Sequence, residues 1–255
     1  MRAAVVQVPS VSEGVLDLVA PHIGQAAVDG ARLIVLPEGV MHDFRPRVDL
    51  ASIAEPLDGE FVAGLSDQAR RLSLWILAGM WEKVDGESRV SNTTVVIGPD
   101  GDLVDCYRKI HLFDSFGFAE SERVVPGPIS PTVIDVDGLR VGVMTCYDLR
   151  FPELARALVA DGAQAIAMGA GWIAGPGKLA QWKTLLKARA IENTVFMVAA
   201  GIVGGGYTGH SAILDPFGEP IAELEDEQAV AVGDLDKGAL DEARSLVPSL
   251  RHRRM

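Results

Sequence analysis

The sequence predicts an α/β protein in which mixed sheets are covered by helices within one domain. Short apolar runs alternate with segments of helical spacing, several apolar runs are joined by Gly- and Pro-containing turns, and no composition break marks a linker. The chain has 255 residues, 48% of them hydrophobic and 23% charged, which is enough for a sizeable core. We therefore expect one domain over residues 1–255, with a C-terminal tail from about residue 237.

The amino-terminal part alternates strands and helices. Ser10 and Glu13 have the spacing of a capping box before the first helix, and Pro21 lies inside that helix, where it is expected to produce a kink. The patterns predict, in order, a strand at residues 3–8, a helix at 15–27, a strand at 33–36, a helix at 61–72 and a strand at 75–81.

Hairpins are predicted in the remainder of the chain. The turn at residues 98–101 and the turn at residues 215–218 share a proline–glycine spacing, and Asp137-Gly138 predicts a third hairpin. Residues 204–206 are three glycines and predict a flexible loop. The other elements expected are a strand at residues 139–144, a helix at 151–159, a strand at 165–168, a helix at 182–191 and a strand at 194–203.

Composition excludes several classes of function. A formal net charge of -12 argues against broad affinity for nucleic acid or for an anionic membrane, and no apolar run reaches the length of a spanning helix. The start of the chain lacks the apolar core of a secretory signal, and the two cysteines are expected to be free thiols in the cytoplasm. The basic residues 251–254 predict a solvated tail or a partner contact. Five scattered histidines lack the paired spacing of zinc ligands, so no metal or cofactor is expected.

Three reactive or charged residues follow apolar runs at places where open α/β folds bind ligands. Cys146 lies between a predicted strand and a predicted helix, where free N–H groups and the helix dipole favour a thiolate. Glu38 ends the strand at residues 33–36, and Lys109 lies just beyond a hairpin strand. Charged groups beside apolar strands are costly unless they are paired or face a cleft, so these residues are candidates for chemistry. Cys106, within a hairpin strand, is expected to be structural.

Three short motifs together resemble the nitrilase superfamily of carbon–nitrogen hydrolases, in its amidase and ω-amidase-like branches. They are Leu36-Pro37-Glu38, Tyr107-Arg108-Lys109-Ile110-His111-Leu112 and Cys146-Tyr147-Asp148-Leu149-Arg150-Phe151-Pro152-Glu153. They occur in the family's order, and the segments at residues 188–193 and 209–211 also match. The resemblance extends from about residue 3 to residue 235.

The resemblance implies a four-layer α-β-β-α sandwich with two mixed sheets packed face to face. It also implies hydrolysis of a small amide through a cysteine thioester, which releases ammonia and a carboxylic acid. Cys146 is then the nucleophile and Glu38 the general base, while Lys109 and the backbone N–H of Tyr147 stabilise the oxyanion. Glu120 is expected to position Lys109 or the substrate. No cofactor is implied, and a homodimer or a higher homo-oligomer is expected, with the helices at residues 151–159 and 182–191 as the interface.

The substrate is less well indicated. Where related enzymes have a proline after the strand at residues 165–168, this chain has Met168-Gly169-Ala170-Gly171-Trp172. The residues expected to line the pocket are His42, Arg45, Phe116, Trp172 and Tyr207.

Other interpretations remain open. Within the enzymes, the alternatives are an N-carbamoyl amino acid amidohydrolase and a nitrilase, although the sequence after Cys146 resembles amidases more closely. His111 or His210 could instead pair with Cys146, as in cysteine proteases. From another class, the chain could be a catalytically silent binding or scaffold module of the same fold.

Overall fold

The computed structural model describes residues 1–45 and 47–254. Within them the strands, in chain order, are β1 (Arg2–Gln7), β2 (Leu33–Val35), β3 (Trp75–Lys83), β4 (Val90–Ile97), β5 (Leu103–Arg108), β6 (Asp114–Ser115), β7 (Phe118–Ala119), β8 (Val133–Val136), β9 (Leu139–Thr145), β10 (Ala165–Ala170), β11 (Phe196–Gly201), β12 (Val203–Gly204), β13 (Tyr207–Thr208), β14 (Ala212–Leu214), β15 (Pro220–Glu223) and β16 (Ala229–Asp234). The helices are α1 (Val15–Val28), α2 (Leu50–Ile53), α3 (Glu60–Leu72), α4 (Pro152–Ala160), α5 (Lys178–Asn193), α6 (Lys237–Leu246) and α7 (Ser249–His252).

Two six-stranded sheets lie at the centre of the fold. Their strand orders are β16-β1-β2-β3-β4-β5 and β15-β14-β11-β10-β9-β8. The three central strands β1, β2 and β3 are parallel, as are β9, β10 and β11, whereas the outer strands are antiparallel to their neighbours. The prediction of mixed sheets is therefore confirmed, and carboxyl ends of parallel strands meet at one edge of each sheet.

The alternation of side chains along β1 shows how the layers are stacked. Ala3 and Val5 belong to the core between the two sheets, whereas Ala4 and Val6 pack with apolar residues of α1 and α3. On the other side, α4 contacts β9 and α5 contacts β11. The order of layers is helices, first sheet, second sheet, helices, which confirms the predicted α-β-β-α sandwich.

The first helix starts differently from the prediction. The expected capping box of Ser10 and Glu13 is wrong, because α1 begins only at Val15 and its N-cap is Gly14. Gly14 has a left-handed backbone, with φ of 69°, and no side chain caps the helix. The helix continues past Pro21 to Val28.

The three predicted hairpins are present as β4–β5, β8–β9 and β14–β15. In the shortest of them, Asp137 and Gly138 both have positive φ, of 51° and 83°, as a two-residue hairpin turn requires. At the end of the chain, α6 buries Leu240 and Ala243, while residues 251–254 are exposed. None of the helices in the described ranges is long and apolar enough to span a lipid bilayer.

Candidate active site

Glu38, Lys109 and Cys146 converge on one site between the two sheets. Glu38 follows β2, Lys109 follows β5 and Cys146 follows β9, so the first two come from one sheet and the third from the other. All three are buried, with relative exposures of 3%, 2% and 9%. Because residues far apart in the chain meet in one buried place, their charges and protons are strongly coupled.

Hydrogen bonds fix the two acids around the ammonium. Lys109 Nζ donates to Glu38 Oε1 at 2.9 Å and to Glu120 Oε2 at 2.8 Å. Asn92 Nδ2 donates to Glu38 Oε1 at 2.8 Å and to Glu120 Oε1 at 3.0 Å. The backbone N–H of Gly171 donates to Glu38 Oε2 at 2.8 Å. Glu120, predicted to act beside Lys109, is thus its direct partner in the structure.

The charge states of the buried groups follow from these contacts. Burial opposes the charged form of Glu38, but the Lys109 ammonium and hydrogen bonds from Lys109 and the Cys146 thiol outweigh it and lower the pKa of Glu38. Burial would likewise lower the pKa of Lys109, but the Glu120 and Glu38 carboxylates raise it well above its ordinary value. Glu38 is therefore an anion and Lys109 a cation at neutral pH.

The Cys146 thiol differs from its sequence-based prediction. Burial and the neighbouring Glu38 carboxylate raise the pKa of Cys146 well above its ordinary value, and the Lys109 ammonium offsets only part of this effect. The expectation that a helix terminus favours the thiolate is wrong, since Cys146 opens a short 3₁₀ turn (Cys146–Arg150) and the α-helix begins later, at Pro152. In the resting site the proton therefore remains on sulfur, within reach of Glu38.

Cys146 lies on a sharp turn between strand and 3₁₀ segment. Its φ is 46°, in the left-handed region that a residue with a side chain rarely adopts. Two reciprocal hydrogen bonds hold this turn, because the Thr145 side chain accepts from the backbone of Asp148 while Asp148 Oδ2 accepts from Thr145 N at 2.9 Å. The turn presents the sulfur at the end of β9 and fixes its direction.

Buried polar contacts brace the same turn from two sides. Asp148 accepts hydrogen bonds from Tyr107 Oη at 2.7 Å and from His111 N at 3.2 Å, and its Oδ1 lies 2.7 Å from His111 Nδ1. Arg189, on α5, donates twice to Leu149 O, at 3.0 and 2.8 Å. These bonds explain why the sequence carries polar residues at buried positions beside the cysteine.

The histidines do not form a cysteine–histidine pair in the structure. His111 uses Nδ1 to contact Asp148 and stacks on Phe151 at 3.7 Å, and His210 Nε2 lies 3.4 Å from Asp226. Neither histidine is among the residues that line the cavity around Cys146. The side chain that exchanges a hydrogen bond with the Cys146 thiol is Glu38, which disfavours the protease-like alternative.

The glycines that replace the expected proline have a steric reason. A Cβ atom on Gly169 would lie 2.7 Å from both Glu38 N and Leu36 O, closer than real contacts allow. A Cβ atom on Gly79, in β3, would also collide with the backbone at Glu38. The Glu38 segment therefore passes between the two sheets only because both flanking strands carry glycine at this level.

A cavity of about 280 Å³ opens onto the three residues. Its charged lining consists of Glu38, Lys109, Glu120, Arg45, Arg123, Arg150 and Lys178. Most of the remaining wall is aromatic or aliphatic, and it is formed by Phe44, Leu50, Trp81, Phe113, Phe118, Val124, Tyr147, Trp172, Ile173 and Tyr207. A concave apolar pocket with a few convergent polar groups is typical of a small-molecule site.

Of the five residues predicted for the pocket, three line the cavity and two do not. Arg45, Trp172 and Tyr207 line the cavity, and Arg45 also pairs with Asp43 at 2.6 Å. His42 is not part of the lining, and its Nδ1 lies 2.8 Å from Asp43 O. Phe116 is 83% exposed at the tip of the β6–β7 hairpin and is also outside the lining. In the segment at residues 204–206, predicted as a flexible loop, Gly204 ends β12, while Gly205 and Gly206 connect it to β13 and line the cavity.

Three further residues, Asn92, Arg150 and Lys178, belong to the site without being predicted from the sequence. Asn92 belongs to a run of four polar residues in β4, Ser91-Asn92-Thr93-Thr94, so the sequence gives no signal that distinguishes it from its neighbours. Arg150 belongs to the cysteine motif, and Lys178 starts α5, but nothing in the sequence indicates that both turn toward one cavity. In residues 1–45 and 47–254, no cluster of three or more His, Cys, Asp or Glu side chains could hold a metal ion.

Comparisons with known proteins find relatives that match along nearly the whole chain. "Hydrolase Rv0480c" of Mycobacterium tuberculosis is 38% identical over 270 residues, which cover 99% of this chain and 95% of the relative. "Deaminated glutathione amidase" of Escherichia coli O157:H7 is 38% identical over 249 residues, which cover 97% of this chain and 94% of the relative. The crystal structure of XC1258 from Xanthomonas campestris, a CN-hydrolase superfamily protein, matches with a TM-score of 0.89 and 30% identity, covering 100% of this chain and 97% of that chain.

The family assignment rests on nearly the whole sequence. The sequence profile of the carbon–nitrogen hydrolases matches residues 2–245, which include all three motifs and both sheets. With a fold shared along the entire chain and relatives at 38% identity, the chain belongs to the carbon–nitrogen hydrolase family.

Proposed function

We propose that this protein hydrolyses the C–N bond of a small amide through a thioester at Cys146. The observation that carries the proposal is the convergence of a thiol, a carboxylate and an ammonium in one apolar cavity. The Cys146 thiol is within hydrogen-bonding reach of Glu38, and Lys109 is 2.9 Å from the same carboxylate. A nucleophile beside a base and a fixed cation is the arrangement that acyl transfer requires.

In the first half of the reaction, Cys146 Sγ attacks the amide carbonyl carbon while its proton passes to Glu38. The carbonyl oxygen becomes an oxyanion, which Lys109 and the backbone N–H of Tyr147 stabilise. Protonated Glu38 then gives its proton to the amide nitrogen, the C–N bond breaks and ammonia leaves. The thiol has to lose its proton as it attacks, because the resting site keeps that proton on sulfur.

In the second half, Glu38 is again a carboxylate and takes a proton from water as the water attacks the thioester. The tetrahedral intermediate collapses, the C–S bond breaks and the proton held by Glu38 returns to sulfur. The products are a carboxylic acid and the free enzyme. Glu120 Oε2 accepts a hydrogen bond from Lys109 Nζ at 2.8 Å and holds the ammonium in place.

The cavity also suggests the class of amide. Arg150 Cζ and Lys178 Nζ both lie over the ring of Trp172, at 4.9 and 4.8 Å from its centroid. Arg150 donates to the neutral Gln181, and in the part of the chain that the structure describes neither cation forms a salt bridge. Burial and the charge of Arg150 lower the pKa of Lys178. Two half-buried cations without a carboxylate partner favour a substrate that brings its own, so we propose an amide that also carries a carboxylate.

Replacing Lys178 with methionine tests this substrate class. We expect the KM for a carboxylate-bearing amide to rise about 10-fold, because one charge-assisted contact is lost, while turnover of a neutral amide of similar size is unchanged. The matched control is Lys183→Met on the same helix, since Lys183 pairs with Glu223 outside the cavity. An equal loss for charged and neutral amides in the Lys178 variant would contradict the proposed recognition.

The function itself is tested by ammonia release from a panel of ω-amides, N-carbamoyl amino acids and nitriles. We expect release from the amides, with the carboxylate-bearing members preferred. Preference for N-carbamoyl amino acids or for nitriles would instead establish one of the two alternative reactions. A wild-type protein that releases ammonia from none of them, although correctly folded, would favour a silent binding module.

We further propose that residues 1–255 act as one domain within a cytoplasmic homodimer. Two free cysteines, Cys106 and Cys146, fit a reducing compartment. The exposed faces of α4 and α5 are the proposed contact, and Ile191 on α5 is half exposed. Light scattering of the purified protein should give twice the monomer mass, and a monomer at micromolar concentration would contradict this assembly.

A further inference from the structure

Asn92 is a buried polar side chain for which the mechanism above has no use. It lies in β4, is fully buried, and its Nδ2 donates to Glu38 Oε1 and Glu120 Oε1 at 2.8 and 3.0 Å. Its backbone carbonyl accepts from Lys109 N at 2.9 Å. One residue is therefore bonded to the proposed base, to the second acid and to the main chain that carries the ammonium.

The orientation of the Asn92 amide is fixed by its neighbours. Ionised carboxylates only accept hydrogen bonds, so Nδ2 has to face Glu38 and Glu120. Oδ1 is consequently left without a partner among the described residues, although it is buried. An unpaired buried acceptor is unfavourable, so an apolar residue would suit this strand better if packing alone mattered. The unpaired Oδ1 is offset by the two hydrogen bonds that Nδ2 donates to Glu38 and Glu120.

We propose that Asn92 is a positioning residue that sets the direction and the charge of Glu38; this inference rests on the proposed function. The Glu38 and Glu120 carboxylates repel each other, and without Asn92 the Oε1 atom of each would be held by Lys109 alone, at 2.9 and 3.1 Å. The two N–H groups of Asn92 tie one oxygen of each acid in place. The second oxygen of Glu38 accepts from Gly171, so the carboxylate is held at both ends beside the thiol.

The proposed role of Asn92 gives the pH dependence of activity a direction. Glu38 has to be ionised to accept a proton, so activity falls as the pH drops through its pKa. The charged or titratable groups that face it are Lys109, Glu120, Cys146 and Tyr207. Removing the Asn92 donor takes away a bond that favours the carboxylate, so the pKa of Glu38 rises. The acid limb of the pH profile then moves to higher pH, by about one unit for one hydrogen bond to a charged group.

The test is kinetic analysis of Asn92→Leu, which keeps the volume without the donor. We expect kcat to fall about 10- to 100-fold with KM nearly unchanged, and the acid limb to move up by about one unit. Asn92→Asp, which keeps the shape but adds a third acid, should move the limb further in the same direction. The control is Ser91→Ala, on the same strand, whose buried hydroxyl has no partner among the described residues and which should leave kcat and the limb unchanged.

A second readout separates this inference from the proposed function. The rate of Cys146 alkylation by iodoacetamide, measured against pH in a Cys106→Ser background, needs no amide substrate. The acid limb of the alkylation rate should move to higher pH in both Asn92 variants. Unfolding curves would confirm that both proteins are folded. Alkylation and kinetic profiles like those of the wild type would overturn the role of Asn92. A shifted alkylation profile in a protein that cleaves no amide would leave the role standing and remove the proposed function.

Discussion

Replacing Cys146 with serine should lower ammonia release by about 10⁴-fold or more, while the far-ultraviolet circular dichroism stays that of the wild type. Serine fits the buried position, but Glu38 has too low a pKa to deprotonate a hydroxyl efficiently. The thioester also cannot form. The loss should therefore appear in kcat for every substrate of the panel, whatever its affinity.

The chain offers a matched control in its other cysteine. Cys106 lies in β5, outside the cavity, and Cys106→Ser should keep wild-type turnover. Rapid acid quenching of the wild type with a slow amide should show an acyl group on the peptide that contains Cys146, and none in the serine variant. An acyl group on another residue, or turnover that persists in Cys146→Ser, would refute the nucleophile.

Replacing Glu38 with glutamine should lower turnover by about 10²- to 10⁴-fold, because glutamine cannot carry a proton from sulfur to the leaving nitrogen. The same change removes the negative charge that raises the pKa of Cys146. The thiolate, followed by its absorbance near 240 nm, should therefore appear at lower pH than in the wild type. The variant is expected to hold more thiolate at neutral pH and yet to be nearly inactive.

This combination separates a base from a merely structural acid. Glu82→Gln is the control, since Glu82 is also buried but bonds Arg108 and Thr93 away from the cavity. Its replacement should affect stability more than the thiol titration. If Glu38→Gln turned over at the wild-type rate, or if its thiol titrated at higher pH, the assignment of Glu38 as the base would be wrong.

The parts of the site that sequence could predict are those that depend on local pattern. Glu38 and Cys146 directly follow buried apolar runs, and the ends of such strands are where an α/β fold gathers polar groups. The hairpins follow from their turn residues, as at Asp137-Gly138, where the backbone requires positive φ twice. The four layers and the role of Lys109 came from the family resemblance, since spacing alone does not say which strands pair.

Sequence could not predict what depends on contacts between distant segments. The charge state of Cys146 follows from its burial and from a carboxylate 108 positions away, so a local argument from the helix terminus gave the wrong sign. Asn92 is recognisable only when Glu38 and Glu120 are seen on either side of it. The prediction of a capping box was wrong for a local reason, because Gly14 forms a left-handed turn directly before the first helical residue.

Gly79 and Gly169, one in each of the two large sheets, make the geometry of the site depend on how the two sheets are placed relative to each other. The backbone at Glu38 is packed against Gly79 of the first sheet and Gly169 of the second, with no room for a methyl group on either glycine. The distance between the Glu38 carboxylate and Cys146 Sγ therefore depends directly on the distance between the two sheets. A side chain at either glycine would push the two sheets apart and separate the Glu38 carboxylate from Cys146 Sγ, while the strands themselves stay folded. Catalytic activity should therefore respond to a change in the spacing of the two sheets that spectroscopic measures of secondary structure do not detect.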